Sequence, residues 1–306
     1  MARSKVLVLL AAFNGSRWIA EQVQTILDQV DVDIDLIISD DGSTDSTRTE
    51  LQAFARDRRV RVTSTVAPTG SAAQNFLQLI RRTPSDGYDF VALADQDDTW
   101  LPDKLSRACD SLARSEASAY SAAVTAYWGN GRKRVVHQVD RPTVSDFLFE
   151  GAGQGCTFVM TADFYTRLRE FFMNHISATA PVHYHDWVIY ALARSWGLKW
   201  TFDQTPSMHY RQHGDNDTGA RASIDGVFKR LIKIRTGWYS AQLFAVANIC
   251  LAASPSNPII KEWNDLIHRK RGVTRKYDVV KFCLKGGRRR GSDKSALLAA
   301  AIAGWI

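Results

Sequence analysis

Four apolar runs in the first hundred residues each close on a polar cluster and are each followed by helical periodicity, which leaves few folds open to this chain. Residues 6–11 are continuously apolar, the pattern of a strand covered on both faces. Ile19, Val23, Ile26 and Leu27 then recur at helical spacing. A second strand over 34–39 closes on Asp40-Asp41-Gly42-Ser43-Thr44-Asp45, which suits a turn and a helix start, and Leu51, Phe54 and Ala55 mark the helix that follows. A third strand over 60–66 precedes a helix carrying Phe76, Leu77 and Ile80. The fourth, over 90–94, closes on Asp95-Gln96-Asp97-Asp98-Thr99-Trp100 and leads to a helix over 101–112. Four βα units in succession predict a Rossmann-like, doubly wound, mostly parallel α/β sheet.

Such sheets bind ligands beyond the carboxyl ends of their strands. The polar clusters fall in those loops: Phe13-Asn14-Gly15, Asp40-Asp41, the stretch from Gly70 to Asn75, and Asp95 to Asp98. Four of them at successive strand ends point to a single site. The first apolar run resembles a signal-peptide core, but Phe13-Asn14-Gly15 ends it and an amphipathic segment follows, so it reads as a buried strand. The later apolar stretches 243–253 and 296–306 fall short of the ~20 residues that a spanning helix needs, and no membrane span is expected. Cys109, Cys156, Cys250 and Cys283 form no CxxC pair. The expectation is a reducing, cytoplasmic setting without disulfides or a cysteine zinc site.

Beyond residue 115 the pattern loosens. Residues 117–128 read as a strand, 129–134 as a turn, and 156–160 as another strand. Helices are expected at 162–175 and 186–196, and 207–216 reads as a polar, aromatic loop lining the site. From 224 onward the chain looks helical and basic. The net charge of +7 conceals a division: residues 1–228 hold 23 basic and 28 acidic side chains, whereas 229–306 hold 16 and 4. Lys229-Arg230, Lys233, Arg235, Arg269-Lys270-Arg271, Arg275-Lys276, Lys281, Lys285 and Arg288-Arg289-Arg290 are interleaved with Trp238, Tyr239 and Phe282, as on interfacial helices. A charge run is usually a solvated face. Here the excess also suits peripheral docking of 229–306 on the anionic cytoplasmic face of a membrane.

Asp95-Gln96-Asp97 is the sharpest chemical signal. In an extended segment, residues i and i+2 face the same side, so both carboxylates can converge on a hard divalent cation, Mg²⁺ or Mn²⁺, that also takes substrate phosphates. The competing reading is a turn rich in Asp. Asp98 is either a third member or, as favoured here, the cap of the 101–112 helix. Asp40 or Asp41 can accept hydrogen bonds from a nucleotide's base or ribose, the alternative being helix capping. The first strand leads into Ala11-Ala12-Phe13-Asn14-Gly15-Ser16, and no G-x-G-x-x-G accompanies it.

In this order, Leu9-Leu10-Ala11-Ala12-Phe13-Asn14-Gly15, Ile38-Ser39-Asp40-Asp41-Gly42-Ser43-Thr44-Asp45, the stretch from Gly70 to Asn75, and Asp95-Gln96-Asp97-Asp98-Thr99-Trp100 resemble the family 2 glycosyltransferases of GT-A fold. Gly155-Cys156-Thr157, His185-Asp186-Trp187 and Tyr210-Arg211-Gln212-His213-Gly214 resemble the later motifs of its bacterial rhamnosyltransferase-like branch, although Asp215-Asn216 stands where that branch has Asn-Asn. The resemblance implies a GT-A domain over 1–228, with a nucleotide-binding half at 1–115 and an acceptor-binding half at 116–228. It implies an inverting hexosyltransferase that moves a sugar, such as L-rhamnose from dTDP-L-rhamnose, to a saccharide or lipid-linked saccharide in cell-surface polysaccharide assembly. Ala12, Phe13, Asn14, Asp40, Asp41, Gly70, Asn75, Asp95, Gln96 and Arg211 would line the nucleotide-sugar site. Asp95 and Asp97 would hold Mg²⁺ or Mn²⁺, with His213, rather than His209, as a further ligand or phosphate contact. Asp186 would be the general base, its alternative being a helix cap. Trp100, Gly155, Cys156 and Trp187 would contact acceptor or sugar, and for both tryptophans core packing is the alternative. Two other classes compete: an inactive membrane-associated scaffold of the same fold, and a nucleic-acid-binding protein. The second leaves the strand-end clusters of the acidic body unexplained.

Overall fold

The structure, a computed structural model, describes residues 3–64, 67–213 and 236–306. The chain divides into two compact units. The first comprises Met1–Gln138, Gly153–Asn174 and Lys199–Thr218, and the second Val139–Ala152, His175–Leu198 and Gly219–Ile306.

In the first unit, β1 (Ser4–Ala12), α1 (Ile19–Leu27), β2 (Val32–Asp40), α2 (Thr47–Gln52), β3 (Val60–Ser64), α3 (Ala72–Arg82) and β4 (Phe90–Asp95) follow the expected alternation. Val6 to Leu10 have no exposed surface, which is why that strand reads as an unbroken apolar run. Next come β5 (Thr99–Trp100), α4 (Lys104–Ser115), β6 (Ala119–Ala122), β7 (Val124–Trp128), β8 (Lys133–Val136), β9 (Val159–Thr161), α5 (Ala162–Asn174), β10 (Trp200–Asp203) and β11 (Met208–Gln212). The main sheet has the order β10-β6-β9-β4-β1-β2-β3. Its β1, β2, β3 and β4 are parallel, as is the β10–β6 pair, and only β9 runs antiparallel to its neighbours. Register places the site: Ala12 pairs with Asp40, Ala11 with Asp95, and Asp40 with Ser64, so the polar clusters leave one sheet edge side by side.

Several expectations for the second half need correction. The 117–128 run is two strands in different sheets, because β6 joins the main sheet while β7 joins a small one of order β5-β11-β7-β8. Ala123 is the switch, its N–H bonded to Asp203 O at 2.8 Å. The turn after β7 is shorter than expected, since β8 starts at Lys133. The strand placed at 156–160 begins as a 3-10 turn, Gly155–Thr157. The loop expected from 207 contains β11, paired antiparallel with β5 and parallel with β7. Residues 65–66 of the third strand, the 214–216 end of that loop and the basic stretch from 224 to 235 lie outside the described residues.

The second unit contains a 3-10 turn (Asp146–Leu148), α6 (Ile176–Thr179), α7 (His185–Ser195), α8 (Trp238–Ala253), α9 (Pro258–His268), α10 (Val273–Gly286) and α11 (Gly291–Ala303). The Trp263 ring lies 4.8 Å from Phe149 and 5.0 Å from Phe282 at its core. Some basic residues of the C-terminal region are structural. Arg289 pairs with Glu150 at 3.0 Å and with the buried Asp146 at 3.4 Å, and Asp146 also receives Arg194 at 2.9 Å. Arg288 donates to the Tyr239 hydroxyl, and the Arg275 guanidinium holds the carbonyls of Leu266, Ile267 and Ile306. Among the described residues no helix is long and apolar enough to cross a membrane.

Candidate functional site

In the first unit, the loops after β1, β2 and β4 are tied together by side chains. Asn14 takes a left-handed φ of 49°, a conformation that Asn tolerates better than most residues. Its Oδ1 accepts from Thr44 N–H, while its own N–H donates to Ser43 Oγ, both at 2.8 Å. Gln96 makes a two-point bond to the backbone of Phe13, receiving its N–H and donating to its carbonyl at 2.8 Å each. A Cβ on Gly15 would overlap that amide, so any larger residue there would have to push Gln96 off the Phe13 backbone. Phe13 itself is exposed. Asp40 pairs with Arg48 at 2.6 Å, and Asp41 accepts from the Thr69 N–H and hydroxyl, both at 2.7 Å. Gly42, at φ 79°, makes the intervening turn possible. Asn75 sits beneath this turn, bonded to the Ser39 hydroxyl and to the carbonyls of Ser39 and Ala12. Gly70, also left-handed, precedes Ser71, the cap of α3.

Asp95 ends β4 and the next two residues turn, so the extended i, i+2 geometry expected of Asp95 and Asp97 is not what the loop adopts. The loop is held from several sides. Gln22 donates to Asp95 O at 2.9 Å, and Arg211 Nε donates to Asp97 O at 3.0 Å while its Nη2 pairs with Glu21 at 2.7 Å. His213 Nε2 lies 2.7 Å from Asp97 Oδ2, and its ring stacks on Trp18 with centroids 4.2 Å apart. His209 stands edge-on to Tyr127, on the small sheet.

Asp98 does not cap the following helix, whose cap position is Asp103. It is wholly buried and accepts a bond from the Cys156 thiol and one from Arg211 N–H at 3.4 Å. Burial, reinforced by Asp97 and Asp95, pushes its pKa well above the carboxylate range. Beside it lies Lys104, also fully buried, its Nζ 3.8 Å from the Trp100 ring centroid and without a hydrogen-bond partner among the described residues. Burial lowers its pKa to about 8. The folded pKa lies below the ordinary lysine value of 10.5, so the protonated form is penalised below about pH 8 and the penalty lifts as pH climbs toward 10.5. Lys104→Met is therefore expected to raise stability at pH 7 by about 1–2 kcal/mol, the cation–π loss offsetting part of the desolvation gain. The gain should shrink by pH 10. A loss of about 3–5 kcal/mol in chemical denaturation at pH 7 would instead mean that Lys104 is half of a tight buried ion pair.

In the second unit, Asp186 lies in the first turn of α7 and accepts the Trp187 N–H at 2.7 Å. Desolvation raises its carboxyl to about 6. The neighbouring His185 is pushed down to about 3 by burial and stays neutral. The Trp187 ring is interior, its N–H donated to Phe147 O at 2.8 Å, and Trp100 in the first unit is likewise buried, as are Gly155 and Cys156.

Comparison with known proteins fits this architecture. The model of the family described as Glycosyl transferase family 2 matches residues 7–175. The dTDP-rhamnosyl transferase RfbG of Shigella flexneri is 37% identical over 241 residues, covering 78% of this chain and 83% of RfbG. The chain belongs to glycosyl transferase family 2. Solved structures share the fold of this glycosyltransferase at low identity. The Staphylococcus aureus TarS 1–349 complex with UDP superposes at a TM-score of 0.56 with 12% identity, over 98% of this chain and 89% of TarS. The mannosyltransferase PcManGT from Pyrobaculum calidifontis, in complex with GDP-Man and Mn²⁺, gives 0.55 and 16% over 99% and 74%. The fold is GT-A.

The glycosyltransferase carries an acidic group able to hold a divalent cation at the end of β4, where donor atoms of Asp95, Asp98 and Cys156 lie within 4.8 Å of one another. A thiol suits neither Mg²⁺ nor Mn²⁺, and burial keeps Cys156 protonated. Carboxylates with the imidazole of His213 match a hard cation better. Sequence reasoning missed Trp18, Gln22 and Lys104. For Lys104 a signal existed: it shares a helix face with Leu105, Ala108 and Leu112, where a lysine is out of place.

Proposed function

We propose that this family 2 enzyme transfers L-rhamnose from dTDP-L-rhamnose, with inversion, to a hydroxyl of a saccharide or lipid-linked saccharide destined for cell-surface polysaccharide. The likeness to a dTDP-rhamnosyl transferase along 83% of that protein's length carries the reading. Ala12, Phe13, Asn14, Gly70, Asn75 and Gln96 shape the donor site, and Asp40 or Asp41 binds the base and ribose. Asp95, Asp97 and His213 hold Mg²⁺ or Mn²⁺. When bound, the cation neutralises the pyrophosphate and stabilises the charge developing on the departing nucleoside diphosphate. Arg211 is fixed beside that loop by Glu21, and its positive charge favours the same pyrophosphate.

Asp186 accepts the proton of the acceptor hydroxyl as its oxygen bonds to the anomeric carbon. The bond from that carbon to the phosphate oxygen breaks, and the electron pair leaves with the nucleotide. A carboxyl with a pKa near 6 suits a general base at neutral pH, being ionised yet basic. The test is nucleoside diphosphate release from dTDP-rhamnose, UDP-glucose, UDP-GlcNAc and GDP-mannose, with Mn²⁺, with Mg²⁺ and with chelator. Release should be fastest from dTDP-rhamnose and should stop on chelation. Preference for a UDP- or GDP-sugar overturns the donor assignment, and undiminished release in chelator overturns the metal.

A further inference from the structure

Helix α10 carries two apolar faces, and only one is used inside the second unit. Arg275, Val279, Phe282, Cys283 and Gly286 are buried on the inward side. Outward, Val273 is 86% exposed, Tyr277 67% and Leu284 52%, with Val280 half-buried between them. At about 100° per residue these four positions fall within an arc of about 60°, opposite the buried face. A stripe of that spacing on a soluble helix exposes surface that packing would normally cover.

The rim of the stripe is cationic. Lys276 and Lys281 project about 40° beyond either edge of the arc. Neither makes an ion pair among the described residues, whereas Lys285 is paired with Glu262 at 3.9 Å. Over 258–306 the sequence carries twelve Lys and Arg against four Asp and Glu. The mount is firm, because Arg275 ties the inner face of α10 to the Leu266, Ile267 and Ile306 carbonyls at 3.1–3.3 Å.

We propose that the Val273–Tyr277–Val280–Leu284 face of α10, flanked by Lys276 and Lys281, docks the protein on an anionic lipid surface. Apolar side chains enter the acyl boundary, and the lysine stems lie along it with their ammonium groups at the head groups. A second copy of the chain fits less well. A two-fold dimer presses identical patches together and would set one lysine rim against the other, whereas anionic head groups neutralise both rims. Docking thus falls to one helix. The Arg288-Arg289-Arg290 run, the most basic stretch of the region, has Arg288 and Arg289 committed inside the unit. It is independent of the donor and of the catalytic groups.

The test is co-sedimentation of the full chain with vesicles of phosphatidylcholine alone or mixed with phosphatidylglycerol. The wild type should pellet at least tenfold more with the anionic vesicles, and less as salt rises. The triple variant Val273→Ser, Tyr277→Ser, Leu284→Ser and the double variant Lys276→Glu, Lys281→Glu should each lose tenfold or more. Lys261→Glu, an exposed charge change on α9, should stay within twofold of wild type. All should keep wild-type circular dichroism and nucleotide-sugar turnover, since the changed side chains are exposed. Equal pelleting with neutral and anionic vesicles, or full binding by either variant, overturns the proposal. So does a dimer in sedimentation velocity that the triple variant dissociates, which would assign the face to a second copy.

Discussion

Asp186→Asn is expected to lower kcat by about 10²–10⁴-fold, the usual contribution of a positioned general base, and at the same time to stabilise the fold. Both effects come from the same desolvation. The folded pKa of about 6 stands above the ordinary aspartate value of 3.8, so the native state holds this proton more tightly than the unfolded chain. Stability from this group is therefore full below about pH 4 and declines as pH rises through the window between the two values. Above pH 6 the deficit is constant, on the order of 3 kcal/mol at most for a shift of about two units. Asparagine removes the charge and keeps an oxygen to accept the Trp187 N–H, so the variant should gain roughly 1–3 kcal/mol at pH 7.5 and nothing at pH 4. Activity runs the other way. In the wild type kcat should climb with pH to half its plateau near 6, and the variant's residual rate should lack that limb. Chemical denaturation and a pH–rate profile check the two halves. A variant with less than a tenfold loss, beside a flat wild-type profile from pH 5 to 8, would reduce Asp186 to closing the first turn of α7.

What the sequence discloses depends on whether the deciding contacts are local. The runs that become β1, β2 and β4 are legible because full burial on both faces writes itself as unbroken apolarity, and the loops that follow them are legible because strand ends need turn residues. The β6–β7 run is not. It looks like one strand because no Gly, Pro, Asn or Asp interrupts it, and only pairing with β9 and β10 on one side and β8 and β11 on the other divides it. Met208–Gln212 is polar and aromatic because its small sheet is partly solvated, so it imitates a loop. Asp98 looked like a cap from its place before a helix, while its true surroundings come from Cys156 and Arg211, both far along the chain. The basic tail misleads for the same reason. Arg289 finds Asp146 and Glu150 well over a hundred residues away, and no local count of charge shows that one of three consecutive arginines is an interior ion-pair partner.

The division within Asp95-Gln96-Asp97-Asp98 sets up the sharpest contrast in the site. Asp97 is the carboxylate joined to His213, whose ring is fixed by Trp18, whereas Asp98 is wholly buried and that burial pushes its pKa well up. A hard cation needs carboxylate oxygens that can also meet substrate phosphates, and Asp97, though buried, keeps a small exposed part of its side chain where Asp98 has none. Asp97→Asn is thus expected to weaken Mn²⁺ binding by roughly 100-fold. It should lower kcat/KM by at least about 10²-fold, the cost of losing one main stabiliser of developing charge. His213→Ala should cost less, about tenfold, and the double variant little more than Asp97→Asn alone, because groups acting as a unit are not additive. Asp98→Asn keeps the shape of the side chain and an oxygen to accept the Cys156 and Arg211 bonds, and its Mn²⁺ affinity should stay within about threefold of wild type. Titration of each variant with Mn²⁺ by calorimetry reads the contrast directly, apart from turnover. If Asp98→Asn abolishes binding and Asp97→Asn does not, the cation belongs to the buried group of Asp95, Asp98 and Cys156, and the pairing of Asp97 with His213 serves only to hold the loop.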